Sequence, residues 1–244
     1  MTQVDRTDVI VNAPPPKQKD SHVIIGFPGS GLVGSISLAY LIEQLQFTEI
    51  GWITSRFFPP MAMMGNGIIN IPVRIYEREG LIAILADIPI PPAICYEVAD
   101  AIINWIEPHE VRAVINLAGI ITNENEKRQF CVATNTEMLE KIGDMAYVLP
   151  IGSISGIAAS ILIECKIRGI PALGLMGETI NAPDPRAAAA IVDIVNKLFS
   201  LGINIEPLYE QAEEIEASMH QLAAEVQTAN EEQPIKPENL PMYG

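Results

Sequence analysis

The sequence predicts an α/β protein with a mainly parallel sheet covered by helices on both faces, three layers in all. Two patterns and one turn lead there. Short apolar runs, such as residues 23–27 and 111–117, show no alternation with polar residues, as expected of strands buried on both faces. Segments of helical length separate these runs, which is the order of a crossover-connected parallel sheet. A glycine-rich turn, Gly29-Ser30-Gly31-Leu32-Val33-Gly34, joins the first run to the first such segment. The 244 residues are 49% hydrophobic, enough for one large domain with a core on each side of a sheet.

Residues 1–21 read as a leader, stiffened at Ala13-Pro14-Pro15-Pro16. The body, 22–206, opens with a strand at 23–27, the glycine turn and a helix to about Leu45. A second strand is expected at 50–54, after which Phe57-Phe58-Pro59-Pro60 breaks regular structure. Met61, Met63 and Met64 then form an apolar loop, suited either to the core or to an oligomer contact. Strands at 67–76 and 81–87 turn at Glu79-Gly80. A helix at 91–106 and a strand at 111–117 follow. Next come a strand at 130–134, a helix to about Ile142 and a strand at 146–149. A helix at 156–167 turns through Gly169-Ile170-Pro171 into a strand at 172–176. The best-marked helix has Asp184 as its N-cap, Pro185 in its first turn and Gly202 after its end.

The last helix, 207–229, differs from the rest. Leu208, Ala212, Ile215, Met219, Leu222 and Val226 recur at alternating steps of four and three, with Glu and Gln on eight of the other positions. That narrow stripe fits packing on its own domain or, more specifically, self-association through helix–helix contact. Residues 230–244 form a polar, proline-punctuated tail expected to be flexible. It carries an apolar-aromatic tip at Met242-Tyr243-Gly244, which has the makings of a docking peptide: an apolar residue, a ring with one polar handle, and a carboxylate.

The formal net charge is −15, with nine acidic residues against one basic from Glu206 onward. Such a balance argues against nucleic acid or anionic membrane as partner. Cys95, Cys131 and Cys165 are far apart and never in a CxxC pair. His22, His109 and His220 show no ligand spacing, so neither a metal site nor a disulfide framework is expected. The N-terminal residues lack a signal-peptide order, and no apolar run is long enough to cross a bilayer. A cytoplasmic protein is the expectation.

Gly29, Ser30, Gly31 and Gly34 form a literal GxGxxG between strand and helix. Its amides could cradle a phosphate, and Thr54-Ser55-Arg56 at the end of the second strand could meet a 2′-phosphate. An NADP-binding enzyme is therefore one alternative. A nucleoside-processing enzyme using the polar strand ends Asp87, Asn116, Glu178 and Asn181 is another. Against both, the glycines equally serve a tight turn and close helix–sheet packing. Glu178 reads as a capped or solvated carboxylate, and no nucleophile–base pair has recognisable context.

Several segments together resemble the archaeal branch of the proteasome assembly chaperone family. They are Gly26-Phe27-Pro28-Gly29-Ser30-Gly31-Leu32-Val33-Gly34, Phe57-Phe58-Pro59-Pro60, Gly152-Ser153-Ile154-Ser155-Gly156, Arg168-Gly169-Ile170-Pro171, Leu175-Met176-Gly177-Glu178-Thr179 and Pro183-Asp184-Pro185-Arg186-Ala187-Ala188-Ala189-Ala190. The resemblance implies a phosphorylase/hydrolase-like α/β/α fold without an enzymatic role or cofactor. It implies action on proteasome α-subunits or the assembled core particle, and a homo-oligomer or a complex with a paralogue. In that setting Met242 would fill a pocket between α-subunits, Tyr243 would stack there, and the Gly244 carboxylate would pair with a lysine. With no ATP-binding P-loop in the sequence, the expected action is ATP-independent.

Overall fold

A computed structural model describes residues 8–122, 127–179 and 182–213. In chain order the elements are β1 (Val9–Asn12), β2 (His22–Gly26), α1 (Val33–Leu45), β3 (Thr48–Ser55), β4 (Met63–Gly65), β5 (Ile68–Asn70), β6 (Val73–Arg78) and β7 (Leu81–Ala86). They continue as α2 (Cys95–Ile106), β8 (Ala113–Ile121), β9 (Gln129–Ala133), α3 (Thr136–Ile142), β10 (Tyr147–Val148), α4 (Gly156–Ile167), β11 (Ala172–Thr179) and α5 (Pro185–Phe199). Nine strands form one sheet in the order β1-β3-β6-β7-β2-β8-β11-β9-β10, while β4 and β5 pair separately. The parallel character is concentrated in the centre, β7-β2-β8-β11. On one flank β6, β3 and β1 add antiparallel; on the other β9 runs antiparallel to β11.

The pleat distributes the apolar runs between two cores. Ile24, Ile115, Leu117, Leu173 and Leu175 pack with Leu38 and Leu41 of α1 and Ile191, Val192 and Val195 of α5. Val23, Ile25, Ile82, Ile84 and Val114 pack with Val98, Ile102 and Ile106 of α2 and Ile161 and Cys165 of α4. Alternation within an unbroken apolar strand thus supplies both faces, giving the three layers expected. Local signals act where the sequence places them. Asp184 accepts the Ala187 N–H at 2.9 Å and Asn135 caps α3 through the Met138 N–H at 3.0 Å. Glu79 and Gly80, with φ of 44° and 80°, make a two-residue turn of the type that matches strand twist.

Three segments differ from the sequence expectation. Residues 9–12, read as leader, pair with β3 as an edge strand, because Val9-Ile10-Val11 is a β-branched run with Val9 buried. The Lys17 N–H donates to Glu77 at 2.5 Å and ties the following residues down as well. The strand expected at 67–76 is two strands: Pro72, which has no N–H, separates β5 from β6. The β4–β5 hairpin therefore lies outside the main sheet, and Met61 and Met64 are exposed rather than in the core. At 146–149 only Tyr147–Val148 pair.

Residues 206–213 begin the last helix, and Leu208 and Ala212 are each 1% exposed. Leu208 lies in the α1–α5 core, so the first two positions of the heptad stripe face the chain's own domain. Ile215, Met219, Leu222 and Val226, and the tail residues Met242, Tyr243 and Gly244, lie outside the described residues. Among the described residues no helix is long and apolar enough to cross a membrane.

Candidate functional site

The glycine turn lies where β2 meets α1. Gly29 is extended, Ser30–Leu32 form a single helical turn, and Gly31 and Leu32 have φ of 60° and 50°. The Leu32 N–H donates to the Gly29 carbonyl at 3.0 Å, and the Asp184 N–H to the Gly31 carbonyl at 2.9 Å. A Cβ at Gly31 would overlap the Thr179 side chain, one at Gly34 the Leu117 carbonyl, and one at Gly119 the Ser30 carbonyl. The loop is thus pressed onto the ends of β8 and β11, and close packing accounts for Gly31 and Gly34. Of the three candidate glycines only Gly29 has open space where a Cβ would stand, and the Ser30 hydroxyl has no hydrogen-bond partner among the described residues.

The NADP alternative loses its second half. Thr54, Ser55 and Arg56 end β3, and β7 and β6 stand between β3 and β2. At a strand spacing of about 4.8 Å, that places them roughly 14 Å from β2, where a dinucleotide site needs the adjacent strand. Arg56 is ion-paired with Asp8 at 3.1 Å.

The polar residues at the other strand ends are occupied with one another. Glu178, read from sequence as capped or solvated, is instead 3% exposed. It accepts from the Arg128 backbone N–H at 2.8 Å, from the Arg128 guanidinium at 3.3 Å, and from the Thr122 hydroxyl. Burial pushes its pKa up, but the Arg128 hydrogen bonds and charge outweigh burial and hold it below the usual glutamate value. Asp184 accepts from Lys127 at 2.5 Å, Thr179 at 2.9 Å and the Ala187 N–H; these likewise outweigh burial and lower its pKa. Asp87 pairs with Arg74 at 2.6 Å. The sequence reading passed over Lys127 and Arg128; the signal for them was a basic pair placed in an otherwise acidic segment. Their arrangement is a staple between the chain before β9 and the end of β11.

Beside this staple, a cavity of about 330 Å³ opens at the carboxyl ends of β2, β8 and β11, the region where open α/β sheets bind ligands. Phe27, Ile90, Ile157 and Met176 contribute apolar wall; Ser30, Asn116, Ser153 and Ser155 contribute polar groups. Asn116 is 3% exposed and its amide has no hydrogen-bond partner among the described residues. The amide is not sealed in the interior but reaches the cavity, where a group from outside the protein can meet it. Asn181 lies outside the described residues. Ser153 and Ser155 were legible only as part of a motif; the signal for a polar rim is serine preceding the glycine that opens α4.

Two further hollows are mainly apolar. One, about 480 Å³, lies between α1 and the β4–β5 hairpin and is lined by Leu32, Ile36, Met63 and Leu85. The other, about 630 Å³, lies beside the sheet edge at β10 and is lined by Val132, Leu149, Ile151 and Leu162. The three thiols are buried and reduced, and burial pushes Cys165 up to about 12. Among the described residues no group of three His, Cys, Asp or Glu side chains could hold a metal ion.

The profile of the PAC2 family matches residues 23–223. An uncharacterized protein of Methanocaldococcus jannaschii is 33% identical over 202 residues, 82% of this chain and 84% of that protein. The crystal structure of Pyrococcus furiosus PbaA, an archaeal homolog of proteasome-assembly chaperone, superposes with a TM-score of 0.83 at 32% identity. That match covers 92% of this chain and 95% of PbaA. Pyrococcus furiosus PbaB, an archaeal proteasome activator, shares the fold with a TM-score of 0.79 at 24% identity, over 88% of this chain and 98% of its own. With more than three-quarters of its length inside the family profile and near-complete overlap with PbaA, the chain belongs to the PAC2 family.

Proposed function

We propose that the protein acts by binding on the proteasome, assisting α-subunit assembly or engaging the finished core particle, without chemistry of its own. The observation that carries this reading is the 32% identity and 0.83 TM-score to PbaA across nearly the whole of both chains. The strand-end charges support it, since Glu178, Asp184 and Asp87 are each committed to a basic partner rather than gathered around a substrate. In this proposal Met242 and Tyr243 insert into an apolar pocket between α-subunits, with Gly244 at a basic rim. The stripe Ile215, Met219, Leu222 and Val226 joins copies of the chain so that several tails act together. Linked weak tails gain roughly 10²–10⁴ in avidity over one.

The test is co-sedimentation of the full chain and its Tyr243→Ala variant with purified core particles. Loss of binding in the variant supports tail docking; equal binding by both moves the contact to the globular body and favours an assembly role. Failure of both to bind core particles or free α-subunits would remove the proposal. Peptide-hydrolysis rates of the bound complex then separate an activator from a chaperone.

A further inference from the structure

We propose that the cavity at the ends of β2, β8 and β11 is a binding site for a small monocarboxylate carrying a neighbouring hydroxyl and a short apolar body. Two independent features meet there. The first is the N-terminus of α4, a helix of 12 residues. Its N-cap, Ser155, is extended but makes no side-chain capping bond, so the amides of the first turn are left for another acceptor. The second is Asn116, whose side chain is almost wholly buried yet lines this cavity with no partner among the described residues. The pleat explains its direction. Ile115 and Leu117 belong to the α1–α5 core, so Asn116 faces the opposite layer, with α2 and α4. Buried amides that find no protein partner mark a place where something else supplies the hydrogen bonds.

The lining selects the ligand. The helix end offers about half a positive charge, enough to favour a single negative one. No Lys or Arg lines the cavity among the described residues, and the chain carries −15 overall, so a phosphate dianion or a polyphosphate is poorly served. A carboxylate accepts from the α4 amides and from the Ser153 or Ser155 hydroxyl. Asn116 presents one donor and one acceptor together, which matches a hydroxyl next to the carboxylate. Ile90, Ile157 and Met176 then enclose a few carbons, and about 330 Å³ is the lower end of small-molecule pocket sizes.

The experiment uses the full chain with 2-hydroxy-4-methylpentanoate as probe, its primary amide and inorganic phosphate as controls, read by thermal shift and calorimetry. Saturable binding of the probe, at least about tenfold tighter than the amide or phosphate, is the expected result. Asn116→Leu, which keeps the side-chain size, is expected to weaken the probe by about tenfold or more. Ser155→Asp keeps the test open if that variant fails to fold. The new carboxylate caps α4 itself, so the unliganded protein should melt higher while the probe no longer binds. The inference is overturned if the wild-type chain shows no saturable binding or binds amide or phosphate as well as the probe. It is equally overturned if Ser155→Asp binds the probe undiminished.

Discussion

Gly34 and Gly29 belong to one loop yet have opposite surroundings. A methyl group at Gly34 meets the backbone carbonyl of Leu117, which has no rotamer with which to retreat. Gly34→Ala is therefore expected to cost about 1–3 kcal/mol or more, seen as a lower midpoint in urea unfolding. Gly29 is extended, with φ of −155°, and nothing lies near the site of its missing Cβ. Gly29→Ala should leave stability within about 0.5 kcal/mol. The spacing GxGxxG was legible in the sequence, but its use was not: backbone approach to β8 and β11 depends on strands more than 80 positions away. Asn116 was legible as polar, whereas its burial and lack of partner depend on which layer the pleat turns it toward.

At the level of elements, the end of β11 is held by charges, and their titration gives the fold a direction of pH sensitivity. Glu178 and Asp184 have folded pKa values below their ordinary 4.5 and 3.8. Each stabilises the fold fully above its unfolded value, and that contribution disappears as pH falls through the lower folded value. His22, at the start of β2 and 4.8 Å from the Phe199 ring, is lowered from 6.5 by burial and then by Arg112 and Lys141. The folded state thus resists protonating it, and stability begins to decline as pH drops below 6.5. Melting temperature against pH should show a mild fall below 6.5 and a steeper one below about 4. His22→Gln should remove the first and Arg128→Gln should blunt the second. Strand and helix positions were largely legible because continuous apolar runs and caps such as Asp184-Pro185 are local signals. The β5–β6 division and the edge strand β1 were not, since each depends on which neighbour accepts the pairing.

For the molecule as a whole, the boundary between body and C-terminal helix falls later than the sequence suggests. A chain ending at Ile205 loses Leu208 and Ala212, both buried against the domain, and is expected to be destabilised by about 3–5 kcal/mol. A chain ending at Glu213 keeps them and should melt within a few degrees of the full protein, while light scattering reports whether association has been lost. If the Glu213 truncation keeps the mass of the full assembly, the stripe from Ile215 to Val226 does not hold copies together. A heptad reading could not separate these two halves, because an apolar residue at the right spacing looks the same whether it meets its own sheet or another helix.

The two-residue turn at Glu79-Gly80 has a kinetic consequence. It makes β6 and β7 neighbours in sequence, so their register can be set on the time of a hairpin, about 1–10 μs. The central parallel pair joins Val114 to Ala172, and closing a loop of that length waits on a much larger entropic search. The antiparallel flank is thereby available early as a template, whereas β2 reaches β7 only by closing the span from His22 to Leu81, which is as long as that from Val114 to Ala172. Until β2 arrives, β7 presents an unpaired apolar edge, and that interval is when a newly made chain is most exposed to aggregation.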